Sequence, residues 1–125
     1  MKRAISTNEA PGAPAFLSQA ITSNGLIFVS GQVHNLPDNT LVGETVAEKL
    51  AQIMKNIETI LKAADASLND VVKVTIYVTD MAMMPEINKA YPAYFAEPFP
   101  AREAVCVAGL PLNASVELSV IAVKA

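Results

Sequence analysis

The clearest periodic signal in the chain begins at Thr45. Val46, Leu50, Ile53, Met54, Ile57, Leu61 and Ala64 recur at steps of three and four, which on a helix makes one apolar stripe. Thr45 and Glu48 have the spacing of a capping box, and Glu58 and Lys62 that of an i,i+4 ion pair. Downstream the period shortens to two. Val72, Val74, Ile76 and Val78 alternate with Lys73, Thr75, Tyr77 and Thr79, which predicts a strand with one apolar face. Upstream, Asn24-Gly25 favours a tight turn, so Ala20–Thr22 and Leu26–Ser30 are predicted to form a hairpin, with a further turn at Pro37-Asp38-Asn39. A second helix is predicted over Met83–Phe95, with Pro85 in its first turn and a kink or early end at Pro92. Beyond the stiff Glu97-Pro98-Phe99-Pro100, strands are predicted over Ala101–Val107 and Ser115–Val123, separated by Gly109-Leu110-Pro111. The order ββ(β)-α-β-α-β-β predicts an α+β domain spanning residues 1–125, its two helices packed on one face of a sheet.

Composition adds an oligomer to this picture. The 125 residues are 52% hydrophobic and only 17% charged, where ordinary domains carry about 25% charged residues. Residues 10–37 contain no Asp, Glu, Lys or Arg. A small protein with so few charges must leave apolar surface outside, and another copy of the chain is its simplest cover. The prolines, glycines and polar residues within 10–37 exclude a membrane span, and Met1-Lys2-Arg3 is followed by no apolar signal segment. A single cysteine fits a reducing compartment, so a cytoplasmic location is expected, with a mitochondrial one also compatible. A net charge of −3 argues against a nucleic-acid partner.

One His and one Cys cannot build a zinc site unless several chains share it, and no Gly-rich phosphate loop or nucleophile elbow is present. His34 reads as structural or solvated, Cys106 as a small core side chain, and Met81, Met83 and Met84 as filling beneath the second helix. Arg102 stands apart. Strand alternation puts it on a face with Ala104 and Cys106, where it is the only charge. Two readings are open: a buried ion pair, with Glu117 as partner, or a fork that grips a ligand carboxylate.

The run Phe99-Pro100-Ala101-Arg102-Glu103-Ala104-Val105-Cys106-Val107-Ala108-Gly109-Leu110-Pro111 closely resembles the signature of the reactive intermediate deaminases (the RidA or YjgF family, formerly L-PSP endoribonuclease). The same holds for Leu26 through Gln32, Asp70 through Asp80 and Asn88 through Phe95, so that the resemblance covers essentially the whole chain. It implies a chorismate-mutase-like α+β fold, a homotrimer with clefts between subunits, no cofactor, and hydrolysis of 2-iminopropanoate or 2-iminobutanoate to 2-oxoacids and ammonia. Arg102 matches the arginine that binds the substrate carboxylate. Gly31 matches the glycine whose N–H helps hold it, beside Ser30, and Asn88 a site-lining asparagine. Ala104 stands where relatives often have cysteine, at a position whose backbone carbonyl faces the attacking water. Leu17 takes the place of a tyrosine, and Ser119 that of the glutamate that orients the water. On a strand Ser119 then faces the cleft, and Glu117 lies about 6.6 Å along, out of reach of the same water, unless a bulge brings it in. Two other activities are weighed beside hydrolysis: binding of small carboxylates without turnover, and the endoribonuclease of the older name, against which the charge and the lack of a His or Lys pair both count.

Overall fold

The structure is a computed structural model that describes residues 1–124; Ala125, the last residue of the predicted domain, lies outside them. In chain order the elements are β1 (Arg3–Ile5), β2 (Ala20–Ser23), β3 (Leu26–Val33), α1 (Val46–Ala63), β4 (Val71–Val78), α2 (Met84–Ala90), β5 (Ala101–Cys106) and β6 (Val116–Val123). The strands form one mixed sheet in the order β1-β2-β3-β6-β4-β5, parallel only between β4 and β5. β3 and β4 both run antiparallel to β6, so α1 carries the chain across it, and α2 carries it from β4 to β5.

Local chemistry explains most element ends. Thr45 caps α1 by accepting from the Glu48 N–H, while the Glu48 carboxylate accepts from the Thr45 N–H. The Asn24-Gly25 turn has both residues at positive φ (52° and 80°), the twist a two-residue hairpin requires. α2 stops at Ala90, and Tyr91–Tyr94 continue as a 3-10 turn, because Pro92 has no N–H to offer the helix. The predicted second helix is therefore half as long as its sequence span. The expected Glu58–Lys62 pair does not form: among the described residues the ion pairs are Lys73–Glu103 and Lys124–Asp65.

Both helices lie on one face, over a core of Leu50, Ile53, Ile57, Ile60 and Leu61 from α1 and Val74, Ile76, Val116 and Leu118 from the sheet. The apolar pattern of β4 needs one correction. A register shift between Val71 and Lys73 turns Val72 outward, 47% exposed, and buries Val71 in its place. Asn56 is the polar exception in α1. Its Nδ2 donates to the carbonyls of Val33 and Asn35, where β3 leaves the sheet, and its Oδ1 accepts from Gln52. Among the described residues no helix covers the other face of the sheet. That face presents Leu26, Phe28, Val105 and Val123, each well exposed, beside Tyr77 and Ile121.

Candidate active site

The site grows from an irregularity in β3. Val29 lies opposite Val120 and Gln32 opposite Leu118, so β3 spends one residue more than β6 across this interval. The resulting bulge falls on Ser30 and Gly31, bends the strand and re-aims the side chains around it. Glu117 is next along β6, on the helix-free face, with its carboxylate pressed against the Cα of Gly31. A Cβ at position 31 would overlap the Glu117 carboxylate, its Cδ only 2.8 Å away. Glycine is required here for close approach. Burial pushes the Glu117 carboxyl above the usual carboxylate range, and no cation among the described residues offsets this.

Glu117, Ser30, Gly31, Gln32 and Val33 floor a cleft of about 330 Å³, walled by Pro11–Ala13, Phe16 and Leu17 on one side and by Pro111 and Leu112 on the other. The first wall is held from below. Gln19, 6% exposed, accepts from the Thr7 N–H and donates to the carbonyls of Thr7, Ala10 and Pro11. The Ser30 hydroxyl donates to the Ser18 carbonyl at 2.6 Å, and the Ser30 N–H to Gln19 at 2.9 Å. Ser30 thus fixes the segment that carries Leu17. Leu112 sits at φ 59°, a left-handed conformation that a leucine seldom adopts.

Arg102 lies elsewhere. β5 is an edge strand, three strand spacings or about 14 Å from β3. Ala104 packs against the core on the helix-bearing face, and Arg102, two residues away, shares that face. Its guanidinium carbon stands 4.9 Å from the centre of the Tyr91 ring. Asn88, exposed on α2, is one turn before Tyr91.

The predicted residues therefore fall into two groups. Gly31, Ser30 and Leu17 meet in the cleft; Arg102 and Ala104 lie on the β5 edge, and Asn88 on α2. Ser119 belongs to neither. It lies opposite Thr75 in mid-sheet and does not line the cleft, so the register expectation is corrected in favour of Glu117. The bulge is the cause. The ion-pair reading of Arg102 also fails, since Glu117 faces the other side of the sheet and Arg102 has no carboxylate partner among the described residues. Cys106, expected in the core, is exposed on the edge strand. Met81 is exposed as well, whereas Met84 is buried. His34 is structural: 4% exposed, its Nδ1 donates to the Val42 carbonyl and its Nε2 accepts from the Ser115 N–H. Burial, aided by Lys49, lowers its pKa. Among the described residues no three His, Cys, Asp or Glu side chains cluster as a metal site.

Sequence reading missed Tyr91 and Gln19. The signal for Gln19 was a lone amide inside an uncharged segment; Tyr91 read as one more residue of a helix.

Comparison with known proteins gives a consistent picture. The family model described as endoribonuclease L-PSP matches residues 7–124. Mitochondrial protein MMF1 of Saccharomyces cerevisiae is 42% identical over 120 residues, covering 96% of this chain and 83% of that protein. Chloroplastic reactive intermediate deaminase A of Arabidopsis thaliana is 43% identical over 122 residues, 97% of this chain and 65% of that protein. Among solved structures, E. coli TdcF with bound serine superposes with a TM-score of 0.90 at 31% identity, over 98% of this chain and 99% of that one.

Proposed function

Because the chain belongs to the endoribonuclease L-PSP family, which includes a reactive intermediate deaminase among its close relatives, we propose that it hydrolyses small 2-iminoacids to 2-oxoacids and ammonia. The observation that carries this reading is the Glu117 carboxylate: half-buried, raised in pKa, unpaired, and aimed into a cleft beside a bulged backbone. That is the environment of a proton acceptor.

The chemistry asks for little more. Water adds to C2 of the imine, giving a tetrahedral carbon that bears both hydroxyl and amine. Glu117 takes a proton from the water as its oxygen attacks and passes it to the imine nitrogen; it then takes the hydroxyl proton and passes it to the amine, so that the C=O forms as the C–N bond breaks and ammonia leaves. The substrate carboxylate needs a fork, and Arg102, which has no ion pair among the described residues, can supply one. One copy cannot bring both groups to one ligand, since they lie on opposite faces of the sheet and about 14 Å apart across it. A homotrimer resolves this, each cleft taking Glu117, Gly31 and Leu17 from one subunit and Arg102, Ala104 and Asn88 from the next. The helix-free sheet face, with Phe28, Val105 and Val123 exposed, supports that assembly. The Ala104 backbone carbonyl then serves as a second acceptor for the water. Leu17 presents an apolar wall where the substrate side chain goes. An exposed Cys106 suits a reducing compartment, the cytoplasm or the mitochondrion.

Binding of small carboxylates without turnover is the second reading, favoured by the relative crystallised with serine. An RNA-cleaving role has less behind it: the one histidine is buried with both ring nitrogens engaged. Oxoacid release from freshly generated 2-iminobutanoate, with sedimentation equilibrium on the same sample, tests the proposal. Release above the spontaneous rate by a trimer supports it. Binding of 2-oxobutanoate without release leaves the second reading, and a stable micromolar monomer defeats the shared cleft.

A further inference from the structure

Arg102 has a long, flexible side chain on an exposed edge strand, with no ion pair among the described residues. A guanidinium in that situation wanders among rotamers unless something holds it. What it has is an aromatic floor. The guanidinium carbon lies 4.9 Å from the centre of the Tyr91 ring, well inside the range of a cation–π contact. The ring is itself fixed. Tyr91 is 5% exposed, and its ring packs against Phe95, centroid to centroid 4.9 Å with the planes inclined at 39°.

The fixing follows from the local sequence. Pro92 ends α2 at Ala90, and the chain turns through the 3-10 residues Tyr91–Tyr94, which sets Tyr91 and Phe95 side by side under β5. The Tyr91 hydroxyl is the one buried side-chain polar atom among the described residues that has no hydrogen-bond partner. It is the ring face and not this hydroxyl that meets Arg102. Stacking occupies the face of a guanidinium and leaves its in-plane N–H groups free, and those are the groups a carboxylate binds in parallel.

We propose that Tyr91 is a positioning residue: its ring holds the Arg102 guanidinium so that the fork is preset for a ligand carboxylate. This rests on the reading of Arg102 as the carboxylate-binding group. It extends that reading by naming the group that makes the arginine competent, and it assigns Tyr91 no contact with the ligand.

The test is replacement of Tyr91 in the full chain by phenylalanine, by leucine and by 3,4,5-trifluorophenylalanine, which keeps the shape of a ring but drains its negative face. Calorimetric affinity for 2-oxobutanoate and KM and kcat on 2-iminobutanoate are read for each, beside Arg102→Lys. Tyr91→Phe should keep the parental affinity and KM, with an unchanged or higher Tm. The fluorinated ring and Tyr91→Leu should weaken binding and raise KM about fivefold to tenfold while kcat stays within about twofold. In an Arg102→Ala background the same changes should have no further effect on KM. Should Tyr91→Leu fail to fold, the fluorinated ring alone decides the matter. A fluorinated variant that binds like the parent, while Arg102→Lys loses binding, overturns the role of Tyr91 and spares that of Arg102. Parental binding by Arg102→Lys overturns both.

Discussion

Replacing Glu117 with glutamine is the sharpest perturbation, because it keeps the shape of the side chain against Gly31 and removes only its capacity to take a proton. General-base assistance is worth typically 10²–10⁴-fold, or about 2.7–5.4 kcal/mol of activation free energy. kcat on 2-iminobutanoate should therefore fall at least about 100-fold. The affinity for 2-oxobutanoate should stay near parental, since the proposed carboxylate fork is Arg102 and not Glu117. The pH profile gives a second handle. Burial raises the Glu117 carboxyl, so the acidic limb of kcat/KM should lie above the ordinary glutamate value of about 4.3, and it should vanish in the variant. Stability runs the opposite way to activity. A carboxyl raised in the folded state contributes stability that is fully present below its unfolded pKa and is lost as pH rises through its folded pKa. Glu117→Gln escapes that loss, so its Tm should match the parent at pH 4 and equal or exceed it at pH 8. Retention of full kcat would refute the assignment. So would a collapse in Ser119→Ala with Glu117→Gln active, which would return the acceptor role to Ser119.

Arg102→Lys should weaken 2-oxobutanoate binding by about 2–4 kcal/mol while leaving the sedimentation behaviour unchanged, because an ammonium is a point charge with no planar fork. His34 makes the fold sensitive to acid. Its pKa is lowered by burial, so its contribution is present above the unfolded value of about 6.5 and lost as pH falls through the folded one. The Tm difference between parent and His34→Gln should accordingly shrink between pH 7 and pH 5, and a difference that does not vary with pH would refute this. Asn56→Ala leaves the Val33 and Asn35 carbonyls buried without their donor, and chemical denaturation should show a loss of about 2–4 kcal/mol with the slope unchanged.

Sequence alone carried the fold further than the site. The α1 stripe, its Thr45–Glu48 box and the Asn24-Gly25 hairpin are local features, each fixed within a few residues, and they stand as read. β1 is three residues long and has no period to detect. The errors at Val72 and Ser119 differ in kind. The irregularity between Val71 and Lys73 puts Val72 on the other face from Val74, whereas Ser119 and Glu117 share a face of β6 and the error was one of position along the strand. Which of the two meets the cleft depends on β3, whose bulged Gly31 lies against Glu117, and no inspection of Val116–Val123 could reveal it. Arg102 stood out because it is the one charge on its face of β5. Its partner did not, because the contact with Tyr91 joins an edge strand to a turn and depends on where Pro92 ends the helix. Cys106 was misjudged because alternation tells which side a residue faces and cannot tell that the strand is an edge.

The separation of Glu117 from Arg102 across the sheet has a genetic corollary. If each cleft joins the two from neighbouring subunits, the unit that selection acts on is the seam rather than the chain. Two inactive proteins, one lacking the arginine fork and one lacking the carboxylate, would repair each other when dissociated and reassembled together. Random mixing in a closed ring of three would rebuild about one cleft in four from two intact halves. Neither damaged gene would then be silent in the presence of the other, and a lesion at one edge of the sheet would be felt in a neighbour's pocket rather than in its own.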